Sequence, residues 1–296
     1  MLDTHQLNVF LTAAETLNFT RAAARLHMTQ PSVSQHIQSL ENHFEQPLFI
    51  RNGRSIQLTA AGIALQPLAR DIVGRSVHIE EMMKSLEGIV HGNLLVGCST
   101  TPGKYLLPPL LAKFHRHHPE VRVACHVSSQ TNALRNVCNG DAHLALVSKP
   151  ELAPKDIELK KFAVDEVKLI APLGHPWAQR EMIEPAELYE ADFILREEES
   201  GTKAAVNDGL SDIGIEADRL NTLLILGNSE AIAMAVEEGL GVGFVSGLVV
   251  TKLVRDRVAP VTVRGLDIQR DIYIARHQRR PATAAQMAFW DFINND

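Results

Sequence analysis

A long helical pattern between Thr59 and about Val90 constrains the fold of this chain more than any other feature of its sequence. Two interleaved seven-residue series run along it: Leu65, Ile72, Ile79 and Leu86, and Leu68, Arg75, Met82 and Ile89. All of these positions except Arg75 are apolar, which is typical of a coiled-coil seam. Arg75 either fixes the register of the seam or extends its long side chain outward to water. Because such a helix is roughly 45 Å long and only narrowly apolar, it predicts a second copy of the chain in a homodimer or homotetramer.

Three shorter helical patterns precede the long one. The first covers residues 4–17 with Thr4 as its candidate N-cap, and the second covers residues 21–26. Pro31 opens the third pattern, because proline lacks the N–H group that the first turn of a helix leaves unpaired. The third helix is expected to bury Val33, Ile37, Leu40 and Phe44. Two short helices, a tight turn and a third helix with a polar outer face are typical of a helix-turn-helix.

A hairpin pattern follows the third helix. Asn52-Gly53 separates two strand-like runs, and Asn-Gly is the strongest short-range hairpin pattern. The hairpin is expected to form a wing with Arg51 and Arg54 at its tip. Residues 1–58 therefore predict a winged helix-turn-helix, which binds double-stranded DNA.

The charge of the chain neither requires nor excludes nucleic acid. The net charge is −6, but a duplex is bound by local patches rather than by the average charge of a protein. In the first 58 residues the basic side chains fall in only two clusters, Arg21 with Arg25 and Arg51 with Arg54. This distribution is compatible with DNA binding without being diagnostic of it.

The remainder of the chain alternates strand-like and helical patterns from residue 93 to residue 296. Strands are predicted at 94–98, 121–127, 142–147, 167–171, 193–195, 222–226, 242–246 and 271–275. Helices are predicted near 103–117, 130–139, 201–212, 229–238 and 281–294. Such alternation indicates an α/β domain with mainly parallel sheets. A segment of this length suits two subdomains with a cleft between them.

Several motifs resemble those of the LysR-type transcriptional regulators. Three occur in order at the family's spacing: Phe19–Glu41, Pro47–Arg51 and Leu58–Gly62. Four more are similar to landmarks of the family's effector domain: Pro119–Val121, Gly174–Pro176, Ser200–Thr202 and Gly239–Gly243. The resemblance implies an effector domain similar to periplasmic binding proteins, with two hinged lobes.

The fold class that follows is α/β, with an N-terminal winged helix-turn-helix, a long linker helix and a two-lobed effector domain similar to periplasmic binding proteins. The expected division is a DNA-binding domain at 1–58, a linker and dimerisation helix at 59–91 and an effector domain at 92–296. Within the effector domain, lobe I is expected at about 92–162 and 268–296, and lobe II at about 163–267.

The candidate DNA-binding residues lie on the third helix and at the tip of the wing: Gln30, Pro31, Ser32, Ser34, Gln35, Gln38, Arg51 and Arg54. Glutamine can offer a donor and an acceptor to adenine, and serine suits a phosphate or either base. The resemblance implies base reading by Gln30, Pro31, Ser34 and Gln35, and minor-groove or phosphate contacts by the two arginines. The alternative is that a face of serines and glutamines is only solvated.

Four junctions between a predicted strand and the following helix are rich in hydroxyl and amide side chains. The candidate effector-binding residues there are Ser99, Thr100, Thr101, Ser128, Ser129, Thr202 and Asn228. In parallel sheets, helices begin at the carboxyl ends of strands, where ligands bind. The unpaired N–H groups and the positive dipole end of a helix suit an anion. The alternative is that these residues only cap helices, although four such junctions in one cleft favour ligand binding.

Residues of both charges lie beside the third junction, and they have opposite effects on anion binding. Arg196 and Lys203 can add positive charge, whereas Glu197–Glu199 offset part of it. The segment Leu195–Thr202 is similar to the branch of the LysR family that regulates carbon-dioxide fixation or sulfur assimilation. That resemblance implies a small anionic effector.

No pattern in the sequence predicts catalysis, a metal site or a cofactor. His115, His117 and His118 end a predicted helix, where histidines more often interact with the helix dipole than bind metal. Gly239–Gly243 follows a helix and enters a strand, which is the reverse of the order in a dinucleotide-binding motif. We therefore expect no enzyme.

The sequence also predicts a cytoplasmic location without membrane contact. No apolar run reaches the ~18 residues that a bilayer crossing needs, and the N-terminus lacks the basic and apolar parts of a signal peptide. The cysteines Cys98, Cys125 and Cys138 are odd in number and lie in apolar surroundings, which favours reduced thiols.

The predicted function is that of a LysR-type regulator whose binding to promoter DNA is modulated by a small, anionic co-inducer in the C-terminal cleft. Expected partners are double-stranded promoter DNA, the effector, further copies of the chain and RNA polymerase. One alternative is a two-lobed small-molecule binding protein without a gene-regulatory role, which would not need residues 1–90. An enzyme is another alternative, which no nucleophile–base pair favours.

Overall fold

The structure, a computed structural model, describes residues 1–52, 55–85 and 89–295. The chain divides into two compact units. The first contains Met1–Gly92, Asn139–Asp141 and Arg279–Trp290, and the second contains Asn93–Cys138, Ala142–Gln278 and Asp291–Asp296. The division expected at residues 58 and 91 stays a prediction.

The N-terminal unit begins with three helices: α1 (Thr4–Thr16), α2 (Phe19–Arg25) and α3 (Gln30–Phe44). They enclose a core whose fully buried members include Leu7, Phe10, Val33, Ile37 and Leu40. Phe44 is only partly buried against this core. The three helices and the residues that α3 buries follow the spacing of the sequence.

Side-chain caps place the first helix boundaries differently from the prediction. Asp3, and not Thr4, caps α1, because its carboxylate accepts the N–H of His5 at 2.8 Å. Asn18 caps α2 through the N–H groups of Thr20 and Arg21, so the helix begins earlier than predicted. Both caps are side chains that accept the unpaired N–H groups of a first turn.

The predicted hairpin is present after α3. β1 (Phe49–Asn52) pairs antiparallel with β2 (Ser55–Leu58), with Asn52 opposite Ser55. Gly53 and Arg54 lie outside the described residues. The winged helix-turn-helix is therefore confirmed as the fold of this region.

The long helix α4 spans Ala60–Ser85, with Thr59 accepting the N–H of Gly62 at 3.0 Å. Leu86 lies outside the described residues, while Ile89 and Val90 are not helical, so the predicted end near Val90 was wrong. The seven-residue spacing of apolar side chains continues past the end of the helix, and periodicity alone therefore misplaced it.

Much of the apolar surface of α4 is open to solvent. Ile63 is 61%, Leu68 60% and Ile79 55% exposed, whereas Ala69 is fully buried in the core of the unit. Exposed apolar side chains in such number on one helix are typical of a surface that packs against another molecule.

The second unit is built from two lobes. Lobe I contains β3 (Gly92–Cys98), α5 (Leu107–His117), β4 (Val121–Val127), α6 (Gln130–Asn139) and β5 (Leu144–Val147). Lobe II contains β7 (Asp192–Arg196), α7 (Gly201–Asp212), β8 (Asn221–Leu226), α8 (Ser229–Glu237) and β9 (Val242–Ser246). Two elements that the sequence patterns did not predict follow β9: α9 (Gly247–Lys252) and β10 (Val258–Val261).

Two long strands, β6 (Ile157–Pro172) and β11 (Ile268–His277), connect the lobes. They pair with each other from Val167 opposite Ile268 to Ile157 opposite His277, and the described sheet has the order β4-β3-β5-β11-β6-β9-β7-β8. The chain ends with α10 (Ala284–Asn295).

The expectation of mainly parallel sheets was wrong for the connecting strands. β3 pairs parallel with β5, and β7 pairs parallel with β8 and β9. Each described pairing of β6 or β11 is antiparallel, because these strands pass between lobes instead of following a helical crossover. The α/β fold class with two lobes is nevertheless confirmed.

Candidate functional site

The outer face of α3 carries the predicted DNA-binding side chains. Gln30, Pro31, Gln35 and Gln38 are exposed. Ser32 and Ser34 are half-buried, and the amide of Gln30 donates to the Ser34 hydroxyl at 2.9 Å. The face consists of amides and hydroxyls and has neither lysine nor arginine.

The N-terminal unit has basic residues in the wing and in α2. Arg51 lies in β1 opposite Ile56, but its side chain and the whole of Arg54 fall outside the described part of the structure. Arg21 is exposed. Arg25 forms an ion pair with Glu15 at 2.8 Å, which neutralises part of its charge.

A cavity of about 530 Å³ lies between the lobes of the second unit. Five of the predicted effector-binding residues line it together: Ser99, Thr100, Thr101, Ser128 and Ser129. The other described lining residues are Val127, Gln130, Arg196, Glu197, Glu198, Glu199, Ser200, Gly201, Gly227 and Arg270. The carboxyl ends of β3 and β4 and the start of α7 thus meet at one cleft.

Gln130, at the start of α6, has a fixed side-chain orientation. Its Oε1 accepts both the N–H of Ser148 at 2.6 Å and the Ser148 hydroxyl at 2.9 Å. Because a backbone N–H can only donate, the atom facing it must be the oxygen, and Nε2 is assigned by elimination. Nε2 is buried and has no hydrogen-bond acceptor among the described residues. A donor left unpaired in this way costs about 1–3 kcal/mol.

Gly201 brings lobe II close to this amide. A Cβ atom at Gly201 would lie 2.1 Å from Ser148 Oγ and 2.8 Å from Gln130 Nε2. Side chains do not approach to such distances, so α7 reaches lobe I here only because residue 201 is glycine. The unpaired Nε2 therefore lies where the two lobes touch.

Arg196 of lobe II forms its hydrogen bonds with neighbours in its own lobe. Its Nε and Nη2 donate to the two oxygens of Glu197, each at 2.8 Å, and it also contacts Ser229 Oγ and the Gly227 carbonyl at 3.2 Å. Burial raises the pKa of Glu197, but Arg196, with smaller contributions from a backbone hydrogen bond and Lys203, outweighs this and holds the pKa below its usual value. Lys203 pairs with Glu198.

Arg270 of β11 and Asp165 of β6 form a buried ion pair where the connecting strands cross the cleft. Arg270 donates through Nε and Nη2 to Asp165 Oδ2 at 2.8 and 2.6 Å, and Ser246 donates to Asp165 Oδ1 at 2.7 Å. Burial lowers the pKa of Arg270, and the Asp165 carboxylate opposes that effect.

The remaining two predicted residues lie elsewhere. Thr202 is fully buried, and its hydroxyl accepts from Arg270 Nη1 at 2.8 Å. Asn228 caps α8 by accepting the N–H of Ala231 at 2.8 Å, while its neighbour Gly227 lines the cleft.

Sequence reasoning missed Gln130, Asp165 and Arg270. Gln130 stood inside one of the polar junctions and could have been included. Arg270 and Asp165 lie in strands far apart in the chain, and only the antiparallel pairing of β6 with β11 joins them. No local pattern indicates such a pair.

The described residues contain no group of histidine, cysteine and carboxylate side chains that could hold a metal ion. The three histidines at 115, 117 and 118 lie at the end of α5, where His117 contacts the Lys113 carbonyl at 3.0 Å. Among the described helices, none combines the length and apolar character that a bilayer crossing requires.

Two family models cover almost the whole chain. Residues 4–63 match "Bacterial regulatory helix-turn-helix protein, lysR family", and residues 88–296 match "LysR substrate binding domain".

Relatives and solved structures agree with these matches. A protein of Trichormus variabilis described as "Probable RuBisCO transcriptional regulator" is 33% identical over 287 residues, covering 96% of this chain and 85% of its own. The regulatory domain of Synechocystis PCC6803 CcmR, in complex with 2-PG, is 27% identical with a TM-score of 0.61, covering 69% of this chain and 96% of its own. Full-length CbnR complexed with its target DNA has the same fold at 21% identity, with a TM-score of 0.69 and 99% of each chain covered.

The order of elements, the helix-turn-helix with its wing and the two-lobed domain with its polar cleft all fall within the matched regions. The chain therefore belongs to the LysR family of bacterial transcriptional regulators, with a helix-turn-helix for DNA and an effector-binding domain.

Proposed function

We propose that this chain binds promoter DNA through α3 and the β1–β2 wing, and that a small anion bound between lobes I and II modulates that binding. The exposed amides of Gln35 and Gln38 suit adenine, and the hydroxyls of Ser32 and Ser34 suit phosphate or a base edge. Arg51 and Arg54 are proposed to contact the minor groove or the phosphates.

The neutral character of α3 limits what direct reading can contribute. An arginine or lysine that contacts guanine is the commonest specific contact in the major groove, and α3 has neither residue. We therefore infer that the bending and shape of the operator supply a larger share of the specificity.

The observation that carries the effector proposal is the wall of hydroxyl and amide groups on lobe I, with the unpaired Nε2 of Gln130 beside it. These groups are neutral, and they can donate hydrogen bonds to a ligand. α6 begins at Gln130 and α7 at Gly201, so two positive helix ends meet at the same cleft. An acceptor-rich anion fits this set of donors, and the complex of the CcmR regulatory domain with 2-PG supports an effector in this chain.

From the buried position of Nε2 we infer that the cleft has a second, more open arrangement. In the arrangement described here, Gly201 lies against the amide, and Nε2 is buried without an acceptor. A slight separation of the lobes would open Nε2 to an effector, which would then replace the missing hydrogen bond. An effector that binds one arrangement better shifts the population toward it.

We infer that α4 joins two chains in a dimer, or two dimers in a tetramer. The exposed apolar side chains of Ile63, Leu68, Ile72, Ile79 and Met82 support this inference. Through α4, a change in the cleft would alter the angle between two DNA-binding heads, and with it the bend of the DNA and the contact with RNA polymerase.

Footprinting on the intergenic DNA beside the chain's own gene tests the DNA proposal. At moderate salt, the purified protein should protect two half-sites, and Gln35→Ala should weaken protection of one position in each. Absence of any protected site would contradict the proposal.

A thermal-shift screen tests the effector proposal separately. The panel contains 2-PG, sulfate, sulfite, phosphorylated sugars and dicarboxylates, with neutral sugars as controls. At least one anion should raise Tm in a saturable way and change the footprint. Stabilisation by neutral compounds alone would contradict an anionic effector.

A further inference from the structure

Two cysteines lie side by side at the edge of lobe I. Cys98 is the last residue of β3, and Cys125 lies on the neighbouring strand β4. Their Sγ atoms are 3.2 Å apart, and both are thiols in this structure. Because a disulfide bond is ~2.05 Å long, the two sulfur atoms are already close to bonding distance.

The two thiols are unequal in a way that suits a redox reaction. Cys98 is fully buried, whereas Cys125 is exposed to solvent. The hydrogen bond with Cys98 lowers the pKa of Cys125 to about 7, although partial shielding of this side chain from solvent opposes the effect. The same contact, together with burial, raises the pKa of Cys98. The thiolate is the nucleophilic form of cysteine, so Cys125 is the accessible thiol that reacts first. Cys98 is the buried thiol that can then react with the oxidised Cys125.

We propose that Cys98 and Cys125 form a redox-active dithiol that hydrogen peroxide converts into an intramolecular disulfide. Neither cysteine has a role in the effector cleft proposed above, so this site is additional to it.

The chemistry proceeds in two balanced steps. The Cys125 thiolate attacks one oxygen of hydrogen peroxide, the O–O bond breaks, and the leaving hydroxide takes a proton from solvent to become water. Cys125 is then a sulfenic acid. Cys98 Sγ attacks this sulfur, the S–O bond breaks, and the departing hydroxide leaves as water with the proton of the Cys98 thiol. Two thiols are oxidised to one disulfide, and one peroxide is reduced to two waters.

The position of the dithiol links it to the cleft wall. Cys98 directly precedes Ser99, and its carbonyl accepts the N–H of Ser128 at 2.9 Å. A Cβ atom at Gly103 would lie 2.5 Å from Cys98 Sγ, so the space around this sulfur is tight on the side of the following turn. A disulfide would pull Cys98 toward β4 and shift the wall that carries Ser99 and Ser128. This consequence, unlike the thiol chemistry, rests on the proposed function.

Thiol counting and peptide mapping of the full-length protein test the chemistry. The reduced protein, freed of reductant, is treated with a small excess of hydrogen peroxide and digested without reduction. Two of the three cysteines should become unreactive, and one linked peptide pair containing Cys98 and Cys125, lighter by two hydrogen atoms, should appear. Dithiothreitol should restore both thiols.

Variants separate this pair from the third cysteine. Cys138→Ser should still lose two thiols, whereas Cys125→Ser should lose none to an intramolecular disulfide. A disulfide between two chains, a bond to Cys138, or accumulation of a sulfinic acid at Cys125 would overturn the proposal. The wild-type peptide map decides whether the disulfide forms even if a variant fails to fold.

A second measurement tests the link to the cleft. Sulfate and 2-PG are titrated into the reduced and the oxidised protein, and the Kd should differ by about fivefold or more, the lower end of allosteric coupling. Equal Kd values would overturn the link. Absence of binding by either probe in both forms would count against the proposed effectors, and the peptide map would still decide the thiol chemistry.

Discussion

The two walls of the effector cleft differ in kind. The lobe I wall, from Ser99 to Thr101 and from Ser128 to Gln130, contains hydroxyls and amides and no charge. The lobe II wall contains Arg196 and three glutamates. Of the described charged groups on the two walls, only Arg196 could attract an anion. The hydrogen bonds favour the lobe I wall as the proposed anion site, because Arg196 is already bonded to Glu197 while the lobe I wall retains a donor without an acceptor.

This difference shows that the number of charged groups in a site is a poor guide to the charge it offers a ligand. Arg270 illustrates the point at the floor of the cleft, where each of its three nitrogens donates a hydrogen bond to Asp165 or Thr202. A charge that is already paired and hydrogen-bonded contributes to the architecture of a site. Uncommitted neutral donors and helix N-termini remain for the ligand.

The largest effect is expected on the free energy of unfolding, at the Arg270–Asp165 ion pair on the floor of the cleft. Asp165→Ala leaves the Arg270 guanidinium buried without its carboxylate, which should lower the free energy of unfolding by about 3–5 kcal/mol. Urea denaturation followed by circular dichroism measures the loss. If the Arg270 charge were instead available to an effector, the variant would bind anions more tightly at little cost in stability.

A double substitution provides the control for this prediction. Asp165→Leu with Arg270→Met replaces the pair by apolar side chains of similar volume, which is often neutral for stability. The double variant should recover most of the loss. Equal instability of the single and double variants would show that shape, and not the unpaired charge, causes the effect.

The next largest effect is expected on the lobe I wall. Gln130→Glu keeps an oxygen for the N–H of Ser148 but replaces the Nε2 donor by a second oxygen. Hydrogen bonds to charged groups contribute about 1.5–3 kcal/mol, so affinity for an anion should fall about 10- to 100-fold. Isothermal titration with the best anion of the screen measures it.

Gln179→Glu is the matched control, because Gln179 is exposed on lobe II and the same charge is added there. Its affinity should stay close to that of the wild type. A loss of equal size in both variants would mean that the added charge acts at long range, and the role of Nε2 would be excluded.

A smaller loss is expected at Thr100. Thr100→Val keeps the shape of the side chain and removes one hydroxyl, so anion affinity should fall about three- to tenfold. Thr251→Val, at an exposed position of α9, is the control. An unchanged Kd would remove Thr100 from the site and narrow the lobe I wall to Ser128–Gln130.

The part of the structure that the sequence could predict is the part that local periodicity determines. Helix α3 needs only Val33, Ile37 and Leu40 at helical spacing and a cap before them, and its exposed face follows from the same spacing. The polar ends of β3 and β4 were predictable for the same reason, because each lies directly between a strand and a helix. α4 shows the limit, since its apolar spacing continues into residues that are not helical.

The part that the sequence could not predict depends on residues distant in the chain. Arg270 and Asp165 meet only through the pairing of β11 with β6, and Gln130 is oriented by Ser148 after another strand. The sequence also could not show whether a charged side chain is already paired. Arg196 was expected to add positive charge that Glu197–Glu199 partly offset, and only the geometry shows that Glu197 binds the guanidinium through both carboxylate oxygens.

The smallest effect is expected at Glu197, where a substitution should raise anion affinity instead of lowering it. Glu197→Gln removes the carboxylate that neutralises Arg196, so anion affinity should rise, by about two- to fivefold for a partly exposed ion pair. Because Arg196, aided by a backbone hydrogen bond and Lys203, outweighs burial and keeps the pKa of Glu197 below its usual value, the carboxylate stays ionised at neutral pH. Protonation would therefore mimic the variant only at acidic pH, below the ordinary range of glutamate. Titration of the same anion into wild type and variant between pH 6 and 8 should show a constant ratio of the two Kd values. If Glu197→Gln weakens binding instead, the ion pair orients Arg196 toward the effector, and the charged wall takes part in recognition after all.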